Sequence, residues 1–357
     1  MTLWKRLVFS LIATALGLGL PVLALLAADV YLHRRVEKSA GVNLWGYRGS
    51  PVSRKLRGEQ RLVVVGGSTA FGYGVKAEEA FPARLEADLR PIAKNGAPVS
   101  VVNLGWNNQG AYAFRFVLED YASLDYDAVI LYEGYNDVGP NAYLGRRESP
   151  VFRLTGYYPI FPIAFKEKAM ALRFGGDIDA AYHDTKTVFK PGLASRTAAG
   201  ALDAAARIGE SLDAQLGRFA KASAVPSGSV LPEVSSVGCP ARWAFYCGSV
   251  YDGIQTALAR GKKVLVVTQP YIPAPHREQQ AALRGMLAAR FDKNRDVRYV
   301  NLGDLLDPNT STLSFDRMHL TPEGNALVAS RLVEPVAALM PDAFNPPAAS
   351  EPAPSDR

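Results

Sequence analysis

Five short runs rich in β-branched residues, separated by helix-like stretches, constrain this chain more than any other feature. They span residues 62–65, 99–103, 128–132, 264–268 and 297–301. Apolar strands that alternate with helices build βαβ units and a parallel sheet. The runs are nearly continuous apolar strings, which predicts strands buried on both faces. Helices are predicted over 82–90, with Pro82 in the first turn, over 251–260, closed by Gly261, and over 278–291. The last helix starts at Thr321-Pro322-Glu323, an N-cap, a proline at N1 and an acid in the first turn, and runs to about Leu339.

The chain has 357 residues, 48% of them hydrophobic and 21% charged, which excludes a disordered polymer and supports a sizeable core. Only one long apolar run exists, residues 7–28, which excludes a multi-span transporter. As a helix its 22 residues reach about 33 Å, enough to cross a bilayer core of about 30 Å. A cleaved signal peptide is the alternative. Its apolar region is usually shorter, and here Leu25 or Leu26 falls at −3 when Ala27 or Ala28 is at −1. An uncleaved N-terminal anchor over residues 1–35 is therefore expected. Lys5 and Arg6 before the run nearly balance His33, Arg34, Arg35 and Lys38 after it, so charge does not fix the orientation. Cys239 and Cys247 are the only cysteines, either a disulfide across a short loop or two buried thiols; the former needs an oxidising compartment. The expected location is the inner membrane, with the body periplasmic. The net charge of +6 suits a body near anionic lipid or polymer, and no nucleic-acid module is present.

Residues 36–60 read as a linker, residues 61–340 as the main domain, and residues 341–357, rich in Pro, Ala and Ser, as a disordered tail. The third and fourth strands lie too far apart for one crossover, so residues 139–246 read as a mostly helical insertion. Ile208, Leu212, Leu216 and Phe219 recur there at helical spacing. Phe152, Tyr157, Tyr158, Phe161 and Phe165 form an aromatic stretch near Lys166, Lys168 and Arg173, read as ordinary packing ahead of a lid, a substrate platform or a membrane patch.

Open parallel sheets bind ligands beyond the carboxyl ends of their strands. The first strand ends in Val65-Gly66-Gly67-Ser68-Thr69-Ala70-Phe71-Gly72. A phosphate loop would need lysine where Tyr73 stands, and an α/β-hydrolase elbow would need glycine where Ala70 stands. Ser68 on this tight turn is either a nucleophile or only a helix cap. The second strand leads into Asn103-Leu104-Gly105, and the third into Glu133-Gly134-Tyr135-Asn136-Asp137. Asp316 and His319 stand three apart before the last helix, a spacing that lets a carboxylate fix the imidazole tautomer and leave the other ring nitrogen as a base. His33 adjoins the apolar run, His183 and His276 lack such a neighbour at a strand end, and all three read as surface residues.

Taken in order, Gly67-Ser68, Gly105, Gly134-Tyr135-Asn136-Asp137 and Asp316-x-x-His319 resemble the blocks of the SGNH (GDSL) hydrolases, over about 61–138 and 261–339. The first block departs from the Gly-Asp-Ser-Leu form, reading Gly-Gly-Ser-Thr. The resemblance implies a three-layer α/β/α, flavodoxin-like fold with about five parallel strands in the order 2-1-3-4-5. It implies acyl transfer through Ser68, with His319 as base, Asp316 as its partner, and an oxyanion hole made by the Ser68 N–H, the Gly105 N–H and the Asn136 amide. No cofactor and no metal are implied. The expected activity is hydrolysis of acyl esters, acetyl foremost, on a cell-envelope or exported glycan or lipid. An O-acyltransferase working through the same acyl-serine and a non-catalytic glycan-binding or assembly module are the alternatives.

Overall fold

The apolar runs become the strands of one sheet. The computed structural model describes residues 2–38, 41–132, 134–161, 239–272 and 274–347. Its elements in chain order are α1 (Leu3–Val36), β1 (Gln60–Gly66), α2 (Ser68–Phe71), α3 (Phe81–Leu89), β2 (Val99–Asn103), α4 (Phe114–Asp120), β3 (Ala128–Tyr132), α5 (Pro150–Thr155), α6 (Ala244–Leu258), β4 (Lys263–Thr268), α7 (Ala274–Phe291), β5 (Val297–Asn301) and α8 (Pro322–Leu339). The strands are all parallel, in the order β2-β1-β3-β4-β5. The chain divides into two compact units, one of residues 37–42, 47–145 and 227–357, the other of residues 1–36, 43–46 and 146–226.

The first unit holds the sheet. Strand side chains alternate between faces, so Leu62, Val64, Ile130, Leu265 and Val267 point one way. They meet Phe81, Leu85 and Leu89 of α3 and Val328, Leu332 and Val336 of α8 in one buried cluster. Each such side chain contributes about 1.5–3 kcal/mol by leaving water. Helices α4 and α6 pack on each other and on β1 and β4. Right-handed crossovers put them on the opposite face, giving three layers. The register sets Gly66 beside Tyr132 and Tyr132 beside Val267, so the carboxyl ends of β1, β3 and β4 finish at one edge.

Several expectations change here. No residue of β5 is buried: it is an outer strand with one sheet neighbour, whereas β2, the other outer strand, has the Arg48 segment along its outer edge and is largely buried. Helix α6 begins at Ala244, within the expected insertion, and Cys239 and Cys247 are joined in a disulfide across its start. Residues 41–60 are not a bare linker. Arg48 pairs with Asn103 (N to O 3.1 Å) along the outer edge of β2, and Tyr47 is buried, its hydroxyl accepting from Val52 N at 2.7 Å. An edge strand left open invites foreign pairing, and this segment covers it. The tail is ordered through its first residues: Phe344 is buried beside Ala93, and Asn345 N donates to Ile92 O at 2.8 Å. Residues 348–357 lie outside the described residues.

In the second unit, α1 runs unbroken through Pro21. It is long and apolar enough to cross a membrane, a property that signal sequences share. Its C-terminal end carries Asp29 and His33, both buried. Asp29 accepts from Ile160 N at 2.8 Å, from Phe161 N at 2.5 Å and from the Tyr157 hydroxyl. His33 Nε2 donates to Tyr158 O at 2.8 Å and lies 3.4 Å from Asp29. His33 is therefore not the surface residue its sequence context implies; its hydrogen-bond acceptor, the Tyr158 carbonyl, sits 125 residues away. Burial, with the Asp29 carboxylate adding, pushes the Tyr157 phenol well above its ordinary range and keeps it protonated. Of the expected insertion, α5 is described, whereas Phe165, Lys166, Lys168, Arg173, His183 and the 208–219 pattern lie outside the described residues.

Candidate active site

The edge where β1, β3 and β4 finish brings together residues from four distant stretches. Strand β1 gives way directly to the short turn α2, which starts at Ser68. As the first residue of that turn, Ser68 has no intrahelical acceptor for its N–H. The turn is gripped from β2: Asn103 Nδ2 donates to Ala70 O at 2.9 Å and to Phe71 O at 3.3 Å. Arg48 lies over the Phe71 ring at 4.2 Å and donates to Val75 O. Burial lowers its guanidinium pKa to about 10, so it stays charged at neutral pH.

His319 reaches the turn from the segment before α8. Its Nε2 lies 2.8 Å from Ser68 Oγ, and its Nδ1 lies 2.6 Å from Asp316 Oδ2. The segment is a tight loop closed by a Ser314–Leu320 bridge. Asp316 Oδ1 accepts from Met318 N at 3.0 Å and from His319 N at 2.6 Å, while Arg317 takes φ +67° between them. The same carboxylate thus shapes the loop and orients the imidazole. Burial pushes the Asp316 carboxyl up, but the hydrogen bonds from the His319 ring, His319 N and Met318 N outweigh it and hold the carboxyl below its ordinary range. The rings of Tyr73 and Phe315 lie 4.7 and 5.9 Å from the imidazole. Gly74, at φ +87°, leaves room for Phe315: a Cβ there would stand 2.2 Å from the ring.

Two of the expected oxyanion donors, Gly105 and Asn136, are at the same edge and are already engaged. Gly105 N donates to Asn103 Oδ1 at 3.0 Å, so an oxyanion would have to share that single proton. Asn136 Nδ2 donates to Gln109 O at 3.1 Å, which uses one of the amide's two N–H bonds. Asp137 holds this loop by accepting from Ala111 N at 2.9 and 3.1 Å. Gly105 also has a packing role: a Cβ would lie 2.4 Å from Phe71 N and 2.8 Å from Ala70 C, both backbone atoms of the Ser68 turn. Backbone cannot step aside as a flexible side chain can, and overpacking costs about 1–3 kcal/mol. Gly105→Ala is therefore expected to lower the melting temperature and to slow any reaction that runs through Ser68 by about 10²-fold, the scale set by a displaced reacting group. Steady-state kinetics and a thermal melt check both.

His276, like His33, is not the surface residue its sequence context implies. It is fully buried on α7, with the rings of Tyr135 and Tyr271 at 4.9 and 5.9 Å and Gln280 Nε2 at 2.6 Å from its Nε2. Burial, helped by Arg277, pushes its pKa down to about 4, so it is neutral at neutral pH. Sequence reasoning also passed over Arg48, Asn103 and Gln269. The only local signal is that Asn103 and Gln269 stand at strand ends.

No family model and no curated protein matches the chain. Solved structures do resemble it. A family two carbohydrate esterase from Cellvibrio japonicus is 11% identical, covering 82% of this chain and 64% of that one, with a TM-score of 0.41. A family 3 carbohydrate esterase from Clostridium thermocellum is 14% identical (80% and 99% covered, TM-score 0.40), and a GDSL-like lipase from Bacteroides thetaiotaomicron VPI-5482 is 13% identical (80% and 93%, TM-score 0.39). The sheet order is the one that the SGNH resemblance implies. Likeness at these scores is loose, and the chemistry is read from the geometry.

Proposed function

We propose that the chain is a serine esterase that removes acyl groups, acetyl foremost, from a hydroxyl-rich, glycan-like alcohol at the cell envelope. The observation that carries this reading is the continuous hydrogen-bonded path from Asp316 through His319 to Ser68 Oγ, at 2.6 and 2.8 Å. His319 Nε2 takes the Ser68 proton as Oγ attacks the ester carbonyl, and Asp316 stabilises the imidazolium. The Ser68 N–H, the Asn136 amide and a shared Gly105 N–H stabilise the oxyanion; each such donor is worth about 10²–10³ in rate. His319 then protonates the leaving alcohol, and water, activated by the same imidazole, frees the acid.

A polar alcohol is favoured by the cavity of about 430 Å³ beside the Asp316–His319 loop, beyond the ends of β4 and β5. Arg277, Asp304, Asp307, Asn309 and Arg317 line it beside Tyr271, Ile272 and Leu306, so its walls offer hydrogen-bonding groups for hydroxyls. The Cys239–Cys247 disulfide supports an oxidising compartment, consistent with a periplasmic body tethered by α1. Because Asp29 and His33 of α1 are packing residues, the test uses the full chain in detergent. Acetate release from an O-acetylated oligosaccharide is measured with and without an unacetylated polysaccharide. Release that ignores the polysaccharide is expected; acetyl groups appearing on it would make the protein a transferase. Neither product from a folded sample would leave a binding module.

A further inference from the structure

We propose that Gln269 is a positioning residue that sets the spacing between the nucleophile and the Asn136 donor; this rests on the serine-esterase reading. Gln269 directly follows β4 and is fully buried. Its Oε1 accepts from Tyr135 N at 3.0 Å, and its Nε2 donates to Thr69 Oγ1. The amide orientation is not ambiguous. A backbone N–H only donates, so the oxygen must face Tyr135 and the NH₂ must face Thr69.

Thr69 adjoins Ser68, and Tyr135 adjoins Asn136. The two loops leave different strands, β1 and β3, yet the Ser68 N–H and the Asn136 amide must both come within about 3 Å of one oxyanion. Strand β4 is two places from β1, about 10 Å at ordinary strand spacing, so the Gln269 side chain reaches across the end of β3 to hold both loops. The neighbouring Pro270 adds a second hold on the same loop, its carbonyl accepting from the Tyr135 hydroxyl. Without this bridge each loop keeps its own anchors, Asn103 for one and Asp137 for the other, but their separation is no longer fixed.

The test compares full-length wild type, Gln269→Met, Thr69→Val and the double variant in detergent. The readouts are kcat and KM for p-nitrophenyl acetate, the rate of fluorophosphonate labelling, and the melting temperature. Methionine and valine keep shape while removing one partner each. Each single variant is expected to lose about 10–100-fold in kcat, the scale of a small misplacement, with KM essentially unchanged. The double variant should be no worse than the worse single, because both break the same bridge. In Gln269→Glu, the protonated carboxyl can accept from Tyr135 N and donate to Thr69, so its activity relative to wild type should rise as pH falls. Unchanged kcat in both singles overturns the proposal. So do additive losses that track the melting temperature, because they would make Gln269 a packing residue only. An active wild type with unaffected variants removes the bridge alone, whereas a folded wild type that neither turns over nor labels removes the esterase reading and the bridge with it.

Discussion

Replacing His319 by alanine is expected to lower kcat for ester hydrolysis by about 10⁶-fold, the loss typical when a triad's base is removed. His319 Nε2, 2.8 Å from Ser68 Oγ, is the base placed to take the hydroxyl proton. His276, buried on α7, is held elsewhere, among Tyr135, Tyr271 and Gln280. The ring's loss should spare the fold, since the loop is closed by backbone and Asp316 contacts that alanine retains. Residues of a triad act as one unit, so Ser68→Ala combined with His319→Ala should be no slower than either alone. Steady-state rates of the three variants beside a thermal melt check this. A loss below about tenfold in a folded His319→Ala protein would point to another base.

Asp316→Asn is expected to cost about 10⁴-fold in kcat, through the tautomer rather than the fold. Oδ1 already accepts from the N–H groups of Met318 and His319, and Oδ2 faces His319 Nδ1. In the asparagine variant the two backbone donors keep the oxygen, so the NH₂ must face Nδ1. Nδ1 then becomes the acceptor, the ring proton moves to Nε2, and the group that should accept from Ser68 donates to it instead. Loop geometry survives while the base is lost. Kinetics with imidazole nitrogen chemical shifts separate this outcome from unfolding. The wild-type carboxyl, held below its ordinary range, contributes its hydrogen bonds to stability in full above the unfolded carboxylate range. That contribution fades only as pH falls through the lowered folded value.

What the sequence made legible was local or periodic. The central strands show because double-sided burial writes continuous apolar runs, as in residues 62–65 and 128–132. The burial of β5 was not legible because Val297 and Val300 look the same in sequence whether or not later chain covers the strand. Asp316 and His319 were legible because three residues and one turn suffice to join them. The link to Ser68 crosses 251 residues and showed only through the order of the blocks. Contacts without any such order stayed hidden. Gln269 meets Thr69 across 200 residues, and His33 meets Tyr158 across 125, with no pattern to mark either. The engagement of the Gly105 N–H by Asn103 spans only two residues, yet it depends on a side-chain rotamer that composition does not encode.

The most direct test of Ser68 as the nucleophile is covalent. Full-length protein in detergent is treated with a fluorophosphonate, and the modified peptide is mapped by mass spectrometry. One adduct per chain on Ser68, strongly slowed in His319→Ala and absent in Ser68→Ala, is the predicted result. A folded wild-type protein that takes no adduct, or takes it at another residue, would contradict Ser68 as an activated nucleophile.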